Sequence, residues 1–121
     1  MEHLNIQIKR VYAQPALDDG KRILVDRLWP RGMTKAKAKV DFWLKDVAPS
    51  QSLRKWFDHD PLKWNEFKKR YLEELASRLD ALTYLKEESV HGTVTLLYGA
   101  KDEEHNEAVV LLQLLQKNRT P

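Results

Sequence analysis

Cysteine is absent from this chain of 121 residues, and glycine (4) and proline (5) are sparse. Without thiols there is no disulfide, no thiolate zinc site, no iron–sulfur cluster and no thiol nucleophile, and the composition suits a reducing compartment. No stretch approaches the roughly 20 apolar residues that span a bilayer, and the opening MEHLNIQIKR has no apolar signal region. Membrane insertion and export are therefore not expected, and a cytoplasmic location is. A dominant charge is missing too: 21 Lys and Arg stand against 18 Asp and Glu, a balance of +3 that is too small to mark a polycationic binder. The four histidines, His3, His59, His91 and His105, form no HExxH or i,i+4 pair, so no metal site is expected. No serine has a nucleophile-elbow context. There is no internal repeat, low-complexity tract or Gly/Ser linker, so residues 1–121 are read as one domain.

What is present is a core. Apolar residues make up 42% of the chain, enough to bury one hydrophobic interior. Residues 5–12 alternate Ile6 and Ile8 with Gln7 and Lys9, the pattern of a half-buried strand. Pro15 and Asp18-Asp19-Gly20 then turn the chain. Ile23-Leu24-Val25 and, much later, Val94-Thr95-Leu96-Leu97 are short apolar runs that read as strands buried on both faces. The Lys-rich stretch of residues 31–39 reads as a loop leading into a short helix at residues 40–44. Ser50 or Ser52 is expected to cap a helix carrying Leu53, Trp56 and Phe57, because a hydroxyl can accept from free first-turn amides. Asp60-Pro61 starts a long amphipathic helix with Trp64, Phe67, Tyr71, Leu72, Leu75 and Leu79 on one side and a Glu66–Arg70 pair on the other. A further helix ends before His91-Gly92, and a last one follows Lys101-Asp102-Glu103-Glu104 with Ala108, Leu111, Leu112 and Leu115 inward.

This order predicts an α/β fold with a small, mostly parallel sheet of about three or four strands flanked by helices. The link of about sixty-five residues from the second strand to the next apolar run allows a right-handed crossover. The first two strands are joined by a short, turn-rich link, which fits an antiparallel hairpin or a parallel arrangement with an irregular crossover. In open parallel sheets ligands collect beyond the carboxyl ends of the strands, and that places Asp26-Arg27 and residues 98–102 on a common rim.

The strongest local signal is Asp26-Arg27-Leu28-Trp29-Pro30-Arg31-Gly32. Two guanidinium groups and a carboxylate leave a buried strand beside an indole, and arginine grips phosphate or carboxylate with two parallel hydrogen bonds. The alternative is a structural Asp26–Arg27 ion pair with Trp29 sealing the core. Asp26, Arg27, Trp29, Arg31, Tyr98 and Lys101 are thus the candidate ligand contacts, for an anionic small molecule or a nucleotide. Asp26 is the best available acid or base, a weak candidate that leaves open whether the protein is an enzyme, and the sequence names no cofactor. Residues 27–45 carry six basic side chains and one acid, and Lys35, Lys37 and Lys39 with Trp43 allow the alternative of a nucleic-acid accessory module. A protein-interaction domain without catalysis is the third reading, and oligomeric state is left open.

With RILVDRLWPRGMTKAKAKVDFWLKDVAPS and LLYGAKDEEHNEAVVLL in view, the chain resembles the bacterial YeaO-like family of small domains of unknown function. The landmarks are Val25-Asp26-Arg27, Trp29-Pro30-Arg31-Gly32, Leu53-Arg54-Lys55-Trp56-Phe57 and the run from Leu96 to Lys101 with Asn106 and Ala108. The resemblance implies a cytoplasmic α/β protein and brings no substrate, cofactor or catalytic residue. Some relatives place a histidine directly after the position matching Asn106, where this chain has Glu107.

Overall fold

The run Val94–Tyr98 (β4) is buried along its whole length, which fits the middle of a sheet better than an edge. In the computed structural model, which describes residues 4–117, it lies between Ile6–Arg10 (β1) and Lys21–Leu24 (β2), and Phe42–Trp43 (β3) completes the order β1-β4-β2-β3. Every pairing is parallel, with Ile8 and Ile23 both opposite Leu96. The two early strands are therefore parallel and not a hairpin, and β4 separates them. The two-residue β3, with the short helix Lys35–Ala38 (α1) ahead of it, also replaces the helix expected at residues 40–44. Asp41 explains the difference: its amide donates to the Arg22 carbonyl at 2.8 Å and its carboxylate accepts from the Arg22 amide at 2.8 Å, tying the chain to the sheet edge.

Side chains alternate across a strand, so the sheet has two cores. Ile23, Val25, Val94 and Leu96 join the larger one, with residues from Gln51–Phe57 (α2), Trp64–Leu75 (α3), Leu79–His91 (α4) and Glu107–Lys117 (α5). Leu24 and Leu97 point the other way, into a small core closed by Ala38 and flanked by Trp29, Met33 and Trp43. Ser50 caps α2, as its hydroxyl accepts from the Leu53 amide at 3.2 Å. Asp60 caps the 3-10 turn that precedes α3, and Glu66 pairs with Arg70 at 2.9 Å. The long helix expected to reach Leu79 stops at Leu75: Leu72 is exposed on α3, and Leu79, also exposed, begins α4. The last helix begins later than the acidic run suggests. Asp102 accepts from the amides of Glu104 and His105 in a turn, and Asn106 accepts from the Val109 amide in the first turn of α5.

Among the described residues no helix is long and apolar enough to cross a membrane. Two buried polar devices hold the layers. Tyr71, fully buried on α3, donates its hydroxyl to the Val47 carbonyl. Burial, and then Glu107 and Glu74, push that hydroxyl well above its ordinary pKa, so it stays a donor. Tyr71→Phe leaves the Val47 carbonyl without this partner and should lower stability by about 1–3 kcal/mol in urea unfolding. A change within measurement error would mean that water reaches this carbonyl. The second device is Asp19, 1% exposed, which accepts from Lys9 at 2.7 Å, from Arg22 at 2.5 Å and from the Ala16 amide at 2.9 Å. Arg22 also donates through Nε to the Lys39 carbonyl and through Nη2 to the Ala38 carbonyl.

Candidate functional site

Strands β2 and β4 end side by side, where the Val25 amide donates to the Leu97 carbonyl at 3.0 Å. Just beyond the strand ends the two chains meet: Asp26 Oδ2 accepts from the Gly99 amide at 2.8 Å. Glycine suits that position because a Cβ there would stand 3.0 Å from the same oxygen. Trp43 holds the other side of the junction through Nε1, which donates to the Asp26 carbonyl at 2.7 Å.

Beside this junction lies a cleft of about 410 Å³, within the size range of small-ligand sites. Four of the six predicted contacts, Asp26, Arg27, Trp29 and Arg31, line it. Arg27 Nε donates to the Pro49 carbonyl at 3.0 Å, and its two terminal amino groups have no protein partner among the described residues. Arg31 is exposed, and its carbonyl accepts from the Tyr12 hydroxyl at 2.7 Å across the mouth. Trp29 is half-buried: its indole donates to the Met33 carbonyl at 2.7 Å and meets Trp43 edge to face at 5.4 Å, so the ring is a fixed wall.

Tyr98 and Lys101 lie elsewhere. Tyr98 is buried and borders a separate hollow of about 540 Å³ beside β1, with Arg10, Tyr12 and Glu103. Arg10 is already committed there, donating to the Ala100 carbonyl at 2.8 Å and lying 4.9 Å from the Tyr12 ring centre, so this hollow has little free positive charge. Lys101 is exposed and borders neither space.

The cleft also gathers residues that the sequence left in other roles. Arg54 and Lys55 reach it from α2, and Glu107 from the first turn of α5. Neither the Arg54 guanidinium nor the Lys55 ammonium has a protein partner among the described residues. Since no buried side-chain nitrogen or oxygen there is unpartnered, the free amino groups of Arg27 and Arg54 are open to solvent. Glu107 keeps part of its surface open, yet its carboxyl sits beside that of Asp26. Burial, then the Asp26 charge and hydrogen bond, raise it well above the ordinary carboxylate range against the opposing pull of Arg54. One signal was available for Glu107: the helix that follows a parallel strand begins on the rim where ligands gather.

His59 and His105 are on the wall as well. His59 follows Asp58, and both have positive φ (54° and 47°) in the turn that closes α2. His105 Nδ1 lies 2.8 Å from Asp102 Oδ2, and its ring meets the Trp64 edge at 5.2 Å. The amides of Glu104 and His105, and the His105 ring, hold the Asp102 carboxyl below its usual pKa. His3 lies outside the described residues. Among those described, no three His, Asp or Glu side chains converge as a metal site requires.

Comparison with known proteins reports kinship and no chemistry. The family described as "Inactive DUF488-N3 subclade" matches residues 5–120. The chain is 42% identical over 113 residues to the uncharacterized protein YeaO of Escherichia coli K12, covering 93% of this chain and 98% of that protein. It is also 42% identical over 110 residues to uncharacterized proteins of Mycobacterium tuberculosis and Mycobacterium bovis, covering 91% of this chain and 92% of each relative. No solved structure matches it significantly.

Proposed function

We propose that this chain, which belongs to the YeaO-like family described as the inactive DUF488-N3 subclade, binds an anionic small molecule or nucleotide in the cleft beyond β2 and β4. The observation that carries this reading is the set of four cations, Arg27, Arg31, Arg54 and Lys55, none of them neutralised by a salt bridge among the described residues, around one cavity. Four cations that make no salt bridge among the described residues outnumber the three acids of the lining, Asp26, Asp58 and Glu107, and so attract an anion, and guanidinium groups with free terminal amines match phosphate or carboxylate oxygens. Asp26, fixed by Gly99, orients the ligand, and the family description favours binding over turnover. A cytoplasmic location belongs to the same reading.

The nucleic-acid reading draws less support. Trp43, the ring it needs for stacking, already donates to Asp26 and lies under the Lys45 ammonium at 4.0 Å.

Titration calorimetry with inorganic phosphate and AMP tests the proposal. Arg54→Ala and Arg27→Ala should each weaken binding by about tenfold or more, the range for a hydrogen bond to a charged group, while circular dichroism stays that of the parent. Should neither compound bind in a manner that depends on these arginines, the reading fails.

A further inference from the structure

The cleft has a feature that a simple anion trap would not need. Its four cations are joined by three carboxyls, Asp26, Asp58 and Glu107, and the neighbouring pair Asp26 and Glu107 offers an anion no positive charge of its own. The ligand must therefore present something else to that pair while its negative end faces the arginines. A cationic group is excluded, because Arg27, Arg54 and Lys55 would oppose it within the same small space. A neutral hydroxyl meets no such opposition. It both donates and accepts, and so can pair with a carboxylate and with a carboxylic acid alike.

Resting on the anion-binding reading above, we propose that the ligand is a phosphorylated ribose, either a sugar phosphate or the ribose of a nucleotide, with its phosphate on Arg27 and Arg54 and its hydroxyls on Asp26 and Glu107. The positions of these residues fit that polarity. Asp26 is pinned at the strand end by the Gly99 amide, and Glu107 enters from the first turn of α5. Arg27 is held at Nε by the Pro49 carbonyl, so its remaining donors keep one direction.

Calorimetry on the full chain with inorganic phosphate, ribose 5-phosphate, 2-deoxyribose 5-phosphate and AMP separates the possibilities. Ribose 5-phosphate should bind at least about tenfold more tightly than inorganic phosphate, and removal of the 2-hydroxyl should give back part of that gain. In Glu107→Gln and Asp26→Asn, which keep side-chain size, the ratio between ribose 5-phosphate and phosphate should shrink within each variant. AMP binding as tightly as ribose 5-phosphate supports the nucleotide source, and AMP binding more weakly supports the free sugar phosphate. Equal affinity for phosphate and ribose 5-phosphate overturns this inference and leaves the anion reading standing. Absence of Arg54-dependent binding for all four compounds removes both.

Discussion

The Asp19→Ala variant should unfold roughly 10–20 °C below the parent protein in a thermal scan at neutral pH. The figure follows from about 3–5 kcal/mol for removing one partner of a buried ion pair and on the order of 4 °C per kcal/mol for a domain of this size. The cost lies less in the lost contacts than in what is left behind. Arg22 is 4% exposed and, without Asp19, keeps its charge with only the Lys39 and Ala38 carbonyls for company. The Ala16 amide and the Lys9 ammonium lose their acceptor at the same time. The effect should also depend on acidity. Burial alone would raise the Asp19 carboxyl, but Lys9, the Ala16 amide and Arg22 outweigh it and hold the group below its ordinary value. A depressed folded pKa means that the contribution is complete above the usual carboxylate range near about pH 4 and disappears as the pH falls through the lower folded value. The melting curves of parent and variant should thus converge only as the pH falls below the usual carboxylate range and through the lower folded value. A gap of less than a few degrees at neutral pH, or one that stays constant on acidification, would show that the network contributes little.

Gly20→Ala should be the other severe substitution. Its backbone has φ 64° and ψ −135°, a region essentially closed to side chains. A Cβ would stand 2.1 Å from the Thr93 carbonyl oxygen, a backbone atom that cannot swing aside. That oxygen accepts from the Lys21 amide at 2.9 Å and so opens the β2–β4 pairing. Relief of the clash must pull the two strands apart at their first rung. Backbone strain and overpacking together come to about 2–5 kcal/mol, measurable by chemical denaturation. Gly32 is the internal control: its φ is 79° but nothing lies within 4 Å of a Cβ there, so Gly32→Ala carries only the conformational cost, about 1–2 kcal/mol. Equal losses at the two positions would contradict the steric argument.

Much of the fold is legible in the residues because burial leaves its mark on composition. Ile23-Leu24-Val25 and the run at Val94–Tyr98 read as strands since a segment covered on both faces has no polar alternate positions to retain. Ser50 and Asp60 read as caps because the chemistry of a helix start is local. What escaped is not local. A two-residue strand has no periodicity to detect, and Phe42–Trp43 is held by Asp41 bonding to Arg22, nineteen residues away. That the early strands are not neighbours depends on β4, which arrives more than sixty residues later. At the cleft, Asp26, Arg27, Trp29 and Arg31 were visible as one contiguous run. Arg54, Lys55 and Glu107 were not, since on amphipathic helices they look like ordinary solvent-facing charges until the helices are docked. Tyr98 illustrates the reverse error: a strand-end position does not say which face its ring will take.

The placement of β4 between β1 and β2 has a consequence for how the molecule is made. A ribosome that has released the first ninety residues has delivered three of the four strands, yet β1 has nothing to bind and β2 only the two-residue β3, because the segment that joins them is still in the exit tunnel. Until it emerges, both present bare amides and carbonyls to the cytosol or to another nascent copy, the state in which chains aggregate or recruit chaperones. A gene interrupted anywhere upstream of β4 should therefore yield insoluble or rapidly degraded product rather than a smaller folded protein.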